Sequence, residues 1–256
     1  MILARRRVPA AVAALWLLAA AALSSAPPLS RAEHSQAHGD TVVLLHGLGR
    51  SSWSMVVMEW KLESAGYRVV NIDYPSTEAD IETLSRRIAL ELGTCCSAGE
   101  GRVHFVTHSM GGILVRHFLA HDDLPRLGRV VMLSPPNHGS EIIDWLRGYS
   151  FFGLVMPPAA LQLGTDAGSM PNRLGPVDFE LGVITGGQSS DPLGGRVIEG
   201  AHDGKVSVES ARVEGMTDFL VVPESHTFIM NDGEVIAQTM HFLRTGSFDH
   251  SRAAAP

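Results

Sequence analysis

Val103-His104-Phe105-Val106-Thr107-His108-Ser109-Met110-Gly111-Gly112 is a β-branched run that breaks at a serine and restarts as an amphipathic, helix-forming segment. This is the pattern of a nucleophile elbow, in which a serine sits in strained backbone between strand and helix. Small residues must then lie two positions before and after it, so that neighbouring backbones can pass. Gly111 and Gly112 meet the second requirement, and Thr107 stands where the pattern G-x-S-x-G has its first glycine.

Outward from the elbow, strands and helices alternate. Thr41-Val42-Val43-Leu44-Leu45 is an unbroken apolar run ending at His46-Gly47, as expected of a strand buried on both faces of a parallel sheet. A helix is expected from about Ser52, with Trp53, Val56, Val57 and Trp60 on one face and Gly66 as its stop. A strand at Tyr67–Ile72 and a helix carrying Ile81, Leu84, Ile88 and Leu92 follow. Beyond the elbow helix, Arg129–Leu133, Glu180–Thr185 and Phe219–Val222 read as strands, and a closing helix begins near Asn231-Asp232, with Val235, Ile236, Thr239, Met240 and Leu243 inward. This order predicts an α/β fold with a doubly wound, mostly parallel sheet flanked by helices. From 139 to 178 the alternation lapses into an apolar excursion over the sheet's carboxyl edge, either a small cap or acyl-chain wall or a packed insertion with its own satellite core. Trp145, Phe151 and Phe152 within it are the candidate substrate contacts.

A serine hydroxyl needs an adjacent base, oriented by a buried acid, to attack a carbonyl carbon. The chain offers Ser109, Asp203 and His226 in that order, each in a loop leaving the carboxyl end of an expected strand. His226 is selected from the twelve histidines because it lies between the last strand and the last helix. Asp203 is preferred to Asp178 and Asp191 because Asp203-Gly204 makes a tight turn that projects its carboxylate. Negative charge developing on the carbonyl oxygen calls for two backbone donors. Leu48, in His46-Gly47-Leu48-Gly49, and Met110, after the serine, are the candidate oxyanion hole. His46, His108 and His138 are expected along the same edge in supporting hydrogen bonds, and His117 and His121 read as a solvated pair rather than metal ligands.

These motifs, together with Pro135-Pro136-Asn137-His138-Gly139-Ser140, resemble the α/β-hydrolase superfamily, and within it the small bacterial lipases and esterases, over residues 40 to 244. The resemblance implies Ser109 as nucleophile, Asp203 as acid, His226 as base, and hydrolysis of hydrophobic carboxylic esters through an acyl-enzyme without a cofactor. An acyltransferase or thioesterase on the same triad, or a binding module retaining the fold, are the alternative readings.

The first 32 residues read as a secretory signal: Arg5 to Arg7 precede an apolar run from Val8 to Leu23, and Ser24-Ser25-Ala26 or Ser30-Arg31-Ala32 offers a cleavage site, the second favoured. An exported protein is therefore expected, with an uncleaved membrane anchor as the alternative. Residues 33–246 are expected as a single domain and 247–256 as a disordered tail. The segment carries four arginines and no acids, so its removal takes the formal charge from -7 to -11. Such a balance excludes nucleic acid as a partner and disfavours anionic lipid, while leaving transient contact of an apolar patch with a lipid interface open. Cys95 and Cys96, the only cysteines, are adjacent and make no disulfide framework; an exposed loop pair is expected.

Overall fold

Among the described residues, six strands form one sheet, every pairing parallel, in the order β2 (Arg68–Ile72), β1 (Thr41–Leu45), β3 (Val103–His108), β4 (Leu127–Leu133), β5 (Leu181–Gly186) and β6 (Asp218–Val222). The computed structural model describes residues 39–97, 100–149, 152–189 and 191–253, so the expected signal segment lies outside the described residues. The main helices are α1 (Val56–Ser64), α2 (Ile81–Cys95), α3 (Met110–His121), α4 (Glu141–Arg147), α5 (Gly233–Thr245) and α6 (His250–Ala253).

The central strands are apolar at nearly every position because helices cover both faces of the sheet. Val43, Leu45, Phe105, Val130 and Met132 turn to one side, where they meet Ile81, Leu84 and Ile88 of α2 and Ile113 and Leu114 of α3. Val42, Leu44, Val106, Val131 and Leu133 turn to the other, against Met58 and Leu62 of α1 and Val235, Ile236 and Phe242 of α5. Two acid caps set helix starts: Asp80 accepts the Thr83 amide at 2.8 Å and Asp232 the Val235 amide at 2.9 Å. The sheet is thus doubly wound, as the alternation of elements predicts.

Four expectations need correction. The buried face of the first helical segment is Met55, Met58 and Leu62, while Trp53 and Trp60 are 79% and 60% exposed. The segment opens as a 3-10 turn at Ser52–Met55, which shifts the phase of the apolar pattern before α1 begins. The expected tail is ordered to Ala253: Phe248 packs on Phe242 with ring centroids 4.9 Å apart, and the Asp249 amide donates to Gln238 Oε1 at 2.8 Å. Cys95 and Cys96 form a vicinal disulfide ending α2, with Cys96 buried in the core rather than exposed. Among the described residues of the excursion, finally, there is no satellite core, since Ile143, Ala159, Ala160, Leu163 and Met170 join the main core beside α2 and α3.

Candidate active site

β3 ends at Ser109 with φ 55° and ψ −125°, a conformation L-residues avoid at a cost of about 1–3 kcal/mol. The strain is held by packing and hydrogen bonds. The Ser109 amide donates to the Leu133 carbonyl at 2.8 Å, and the Ser109 carbonyl accepts from Gly112 N–H at 3.0 Å as α3 starts. A β-carbon at Gly111 would lie 2.7 Å and 2.8 Å from the carbonyl oxygens of Leu45 and His46, which is why the elbow needs glycine there. Thr107 is fully buried, and its hydroxyl has no partner among the described residues.

The structure brings Ser109, His226 and Asp203 into one hydrogen-bonded chain. Ser109 Oγ lies 3.0 Å from His226 Nε2, and His226 Nδ1 lies 2.8 Å from Asp203 Oδ2. The other Asp203 oxygen, Oδ1, accepts the amides of Lys205 at 2.9 Å and Val206 at 2.8 Å, the tight turn foreseen at Asp203-Gly204. The loop of His226 is tied back through its amide, 3.0 Å from the Asp203 carbonyl. Asp203 is almost completely buried, which pushes its carboxyl pKa up. The neighbouring His226 charge, with hydrogen bonds from His226, the Ser134 hydroxyl and the Lys205 amide, outweighs that cost, and the pKa ends lowered. Asp191 instead pairs with Lys205 at 2.7 Å.

The loop after β1 is shaped by the loop after β2. Tyr74 stacks on His46 with ring centroids 4.0 Å apart, and its hydroxyl donates to the His46 carbonyl. The Gly49 amide donates to Ser76 Oγ at 3.0 Å. Neither the Leu48 amide nor that of Met110 donates to any described residue, so both donors remain available. His108 is buried beside these three residues, its Nε2 donating to the His226 carbonyl at 2.9 Å and its Nδ1 without a partner among the described residues. Burial, then the His226 and Arg50 charges, hold its pKa well below 6.5, so it is neutral.

A cavity of about 280 Å³ opens over Ser109 and His226, with Leu48, Ile142, Ile143, Leu163 and Val206 as its apolar wall. The excursion therefore supplies this wall, but not through the residues expected. Trp145 lies outside the cavity lining, 40% exposed and packed edge-on against Tyr149. Phe151 and the Phe152 side chain lie outside what is described. His138 is exposed and bonds Asn172 Oδ1 at 2.7 Å. Sequence reasoning missed Ser134, which carries φ 49° at the end of β4 and bonds the Asp203 carboxylate. It also missed Tyr74 and Ser76. The signal for Ser134 was available: a strand stopped by Pro135 next to the elbow strand.

The model of the alpha/beta hydrolase family matches residues 42–226. This chain belongs to the alpha/beta hydrolase family. Solved structures share its fold. Lipase BlEst2 of Bacillus licheniformis in mature form aligns with a TM-score of 0.58 and 21% identity over 81% of this chain and 93% of that one. Lipase B of Aspergillus fumigatus gives a TM-score of 0.63 and 16% identity over 84% of this chain and 55% of the other. Phospholipase PlaB of Legionella pneumophila gives 0.58 and 19% over 79% and 55%. The hydrolase thus spans about half the length of the latter two, and at these identities the likeness is one of fold. No curated protein matches the chain.

Proposed function

We propose that this hydrolase is an exported serine carboxylic-ester hydrolase, lipase- or esterase-like, that cleaves hydrophobic esters through an acyl-enzyme. The observation that carries the reading is the Ser109–His226–Asp203 chain, at 3.0 Å and 2.8 Å, opening into an apolar cavity. His226 Nε2 takes the Ser109 proton as Oγ attacks the ester carbonyl carbon, and Asp203 stabilises the imidazolium that forms. The Leu48 and Met110 amides receive the developing oxyanion, an interaction worth about 100- to 1,000-fold in rate per donor. His226 returns the proton to the departing alkoxide, leaving an acyl group on Ser109. Water, deprotonated by the same imidazole, then releases the carboxylic acid and restores the serine.

Trp53, Trp60 and Phe228 are exposed, and the turn carrying Trp53 packs against the turn that follows Phe228. This apolar rim beside the His226 loop supports transient contact with a lipid–water interface. The test is hydrolysis of nitrophenyl esters from two to sixteen carbons by the protein and by Ser109→Ala. Activity falling about 10⁴-fold or more in the variant is expected, and the preferred length divides esterase from lipase. Equal activity in the variant, or none in the folded parent, contradicts the reading.

A further inference from the structure

Among the described residues, two cations, Arg50 and Lys205, and no carboxylate line the cavity over Ser109, in a chain whose net charge is -7. They are not equivalent. Lys205 Nζ is held by Asp191 Oδ2 at 2.7 Å, so its charge is answered within the protein. Arg50 is half-buried on the loop that carries the Leu48 amide, and no carboxylate lies within ion-pair distance of its guanidinium among the described residues. Arg50 also lines a second, open groove of about 590 Å³ with Ser51, Ser76 and Thr77. The acids and the other cation there are Asp73, Glu78 and Arg87; Asp73 Oδ1 is taken up by the Ser52 amide at 2.8 Å. Arg50 therefore stands at the seam between an apolar cavity and a polar groove, close enough to the elbow that its charge acts on His108. A partly desolvated guanidinium without a partner is a strong site for a bidentate oxyanion.

We propose that Arg50 is a specificity-determining residue that binds an anionic group, phosphate or carboxylate, on the alcohol side of the substrate. The acyl chain lies against Ile142, Ile143 and Leu163, the ester carbonyl over Ser109, and the charged alcohol part extends into the groove. The substrate class is then an amphiphilic ester of a phosphorylated or carboxylated alcohol. This rests on the ester-hydrolase reading of the same site, and the bond cleaved remains the carboxylic ester.

The experiment compares kcat/KM for an acylglycerol phosphate, an acyl lactate and the neutral monoacylglycerol of the same chain length, using the parent, Arg50→Gln, Arg50→Lys and Ser109→Ala. The parent is expected to favour at least one anionic ester, and Arg50→Gln to lower that anionic-to-neutral ratio about 10- to 100-fold, chiefly through KM, with part restored in Arg50→Lys. Whichever anionic ester loses more identifies phosphate or carboxylate. Persistence of all three activities in Ser109→Ala sinks the reading of this site as a serine ester hydrolase acting through Ser109, whereas a ratio unchanged in Arg50→Gln sinks only the role of Arg50. A binding measurement keeps the two separate without turnover: octyl phosphate and octanoate titrated calorimetrically into Ser109→Ala, against octanol. At least one anion should bind about 10-fold tighter than octanol, and the advantage should vanish when Arg50→Gln is added. Binding of both no tighter than octanol overturns the proposal.

Discussion

β3 carries a buried histidine at each end, and the two differ in almost everything but burial. His104, 2% exposed at the amino edge, is satisfied at both ring nitrogens: Nδ1 accepts the Arg129 amide at 2.8 Å and Nε2 faces Asp40 at 3.4 Å. His108, 1% exposed at the carboxyl edge, has one nitrogen on the His226 carbonyl and the other without a partner among the described residues. Among the described residues, those other than glycine with positive φ are Ser109 and Ser134, which follow β3 and β4 at that same carboxyl edge. The amino edge is built from satisfied groups and ion pairs such as Arg129–Glu180. One edge is relaxed and the other stores strain and unmet hydrogen-bonding capacity, which is what a site poised for substrate is expected to show.

The comparison breaks most readily at Asp203. Asp203→Asn is expected to lower kcat about 10⁴-fold by removing the charge that orients His226, measured on a short nitrophenyl ester. A loss under tenfold would mean another acid serves. Next comes the histidine pair itself. His108→Ala removes the tie to the His226 loop and should cost roughly 100-fold in kcat, the scale of a displaced catalytic group. His104→Ala should leave kcat within about twofold and instead lower stability by about 1–3 kcal/mol, read by urea unfolding. Equal kinetic losses in the two variants would erase the distinction between the edges. Gly111→Ala is a smaller test: the methyl meets the Leu45 and His46 carbonyls at 2.7 Å and 2.8 Å, predicting about 1–3 kcal/mol of destabilisation.

The smallest effect concerns acid. Burial holds His104 and His108 below 6.5 when folded, so between that value and the folded pKa the unfolded chain binds protons that the native one does not. Stability should therefore fall as pH drops below about 6.5, by at most about 1.4 kcal/mol per pH unit for each imidazole. The lowered Asp203 carboxyl adds stability above its unfolded value that is lost only at lower pH. His108→Asn should flatten the slope of melting temperature between pH 6.5 and 5.

Most of the carboxyl edge was legible in the sequence because strand ends, glycines and the order Ser109, Asp203, His226 are local signals. What was illegible depended on tertiary packing. Apolar residues encircle the segment from Ser52 to Ser64, so periodicity alone could not choose between the Trp53–Trp60 face and the Met55–Leu62 face. Phe248 is held by Phe242 and by its amide on Asp218 Oδ2 at 2.7 Å, partners that no local pattern announces. The apolar excursion points to Trp145 as a substrate contact, yet it is Ile142 and Ile143, on the same helix α4, that line the cavity. Pro135 marks the strand end at Ser134, but the bond of Ser134 to Asp203, about seventy residues away in sequence, is a contact that only the folded sheet creates.

The central claim is tested most directly by exposing the folded protein to an alkyl fluorophosphonate and mapping the adduct by mass spectrometry. One adduct on Ser109 is predicted, absent in Ser109→Ala and formed far more slowly in Asp203→Asn. No adduct on the folded parent, or an equal adduct in Ser109→Ala, would contradict the account.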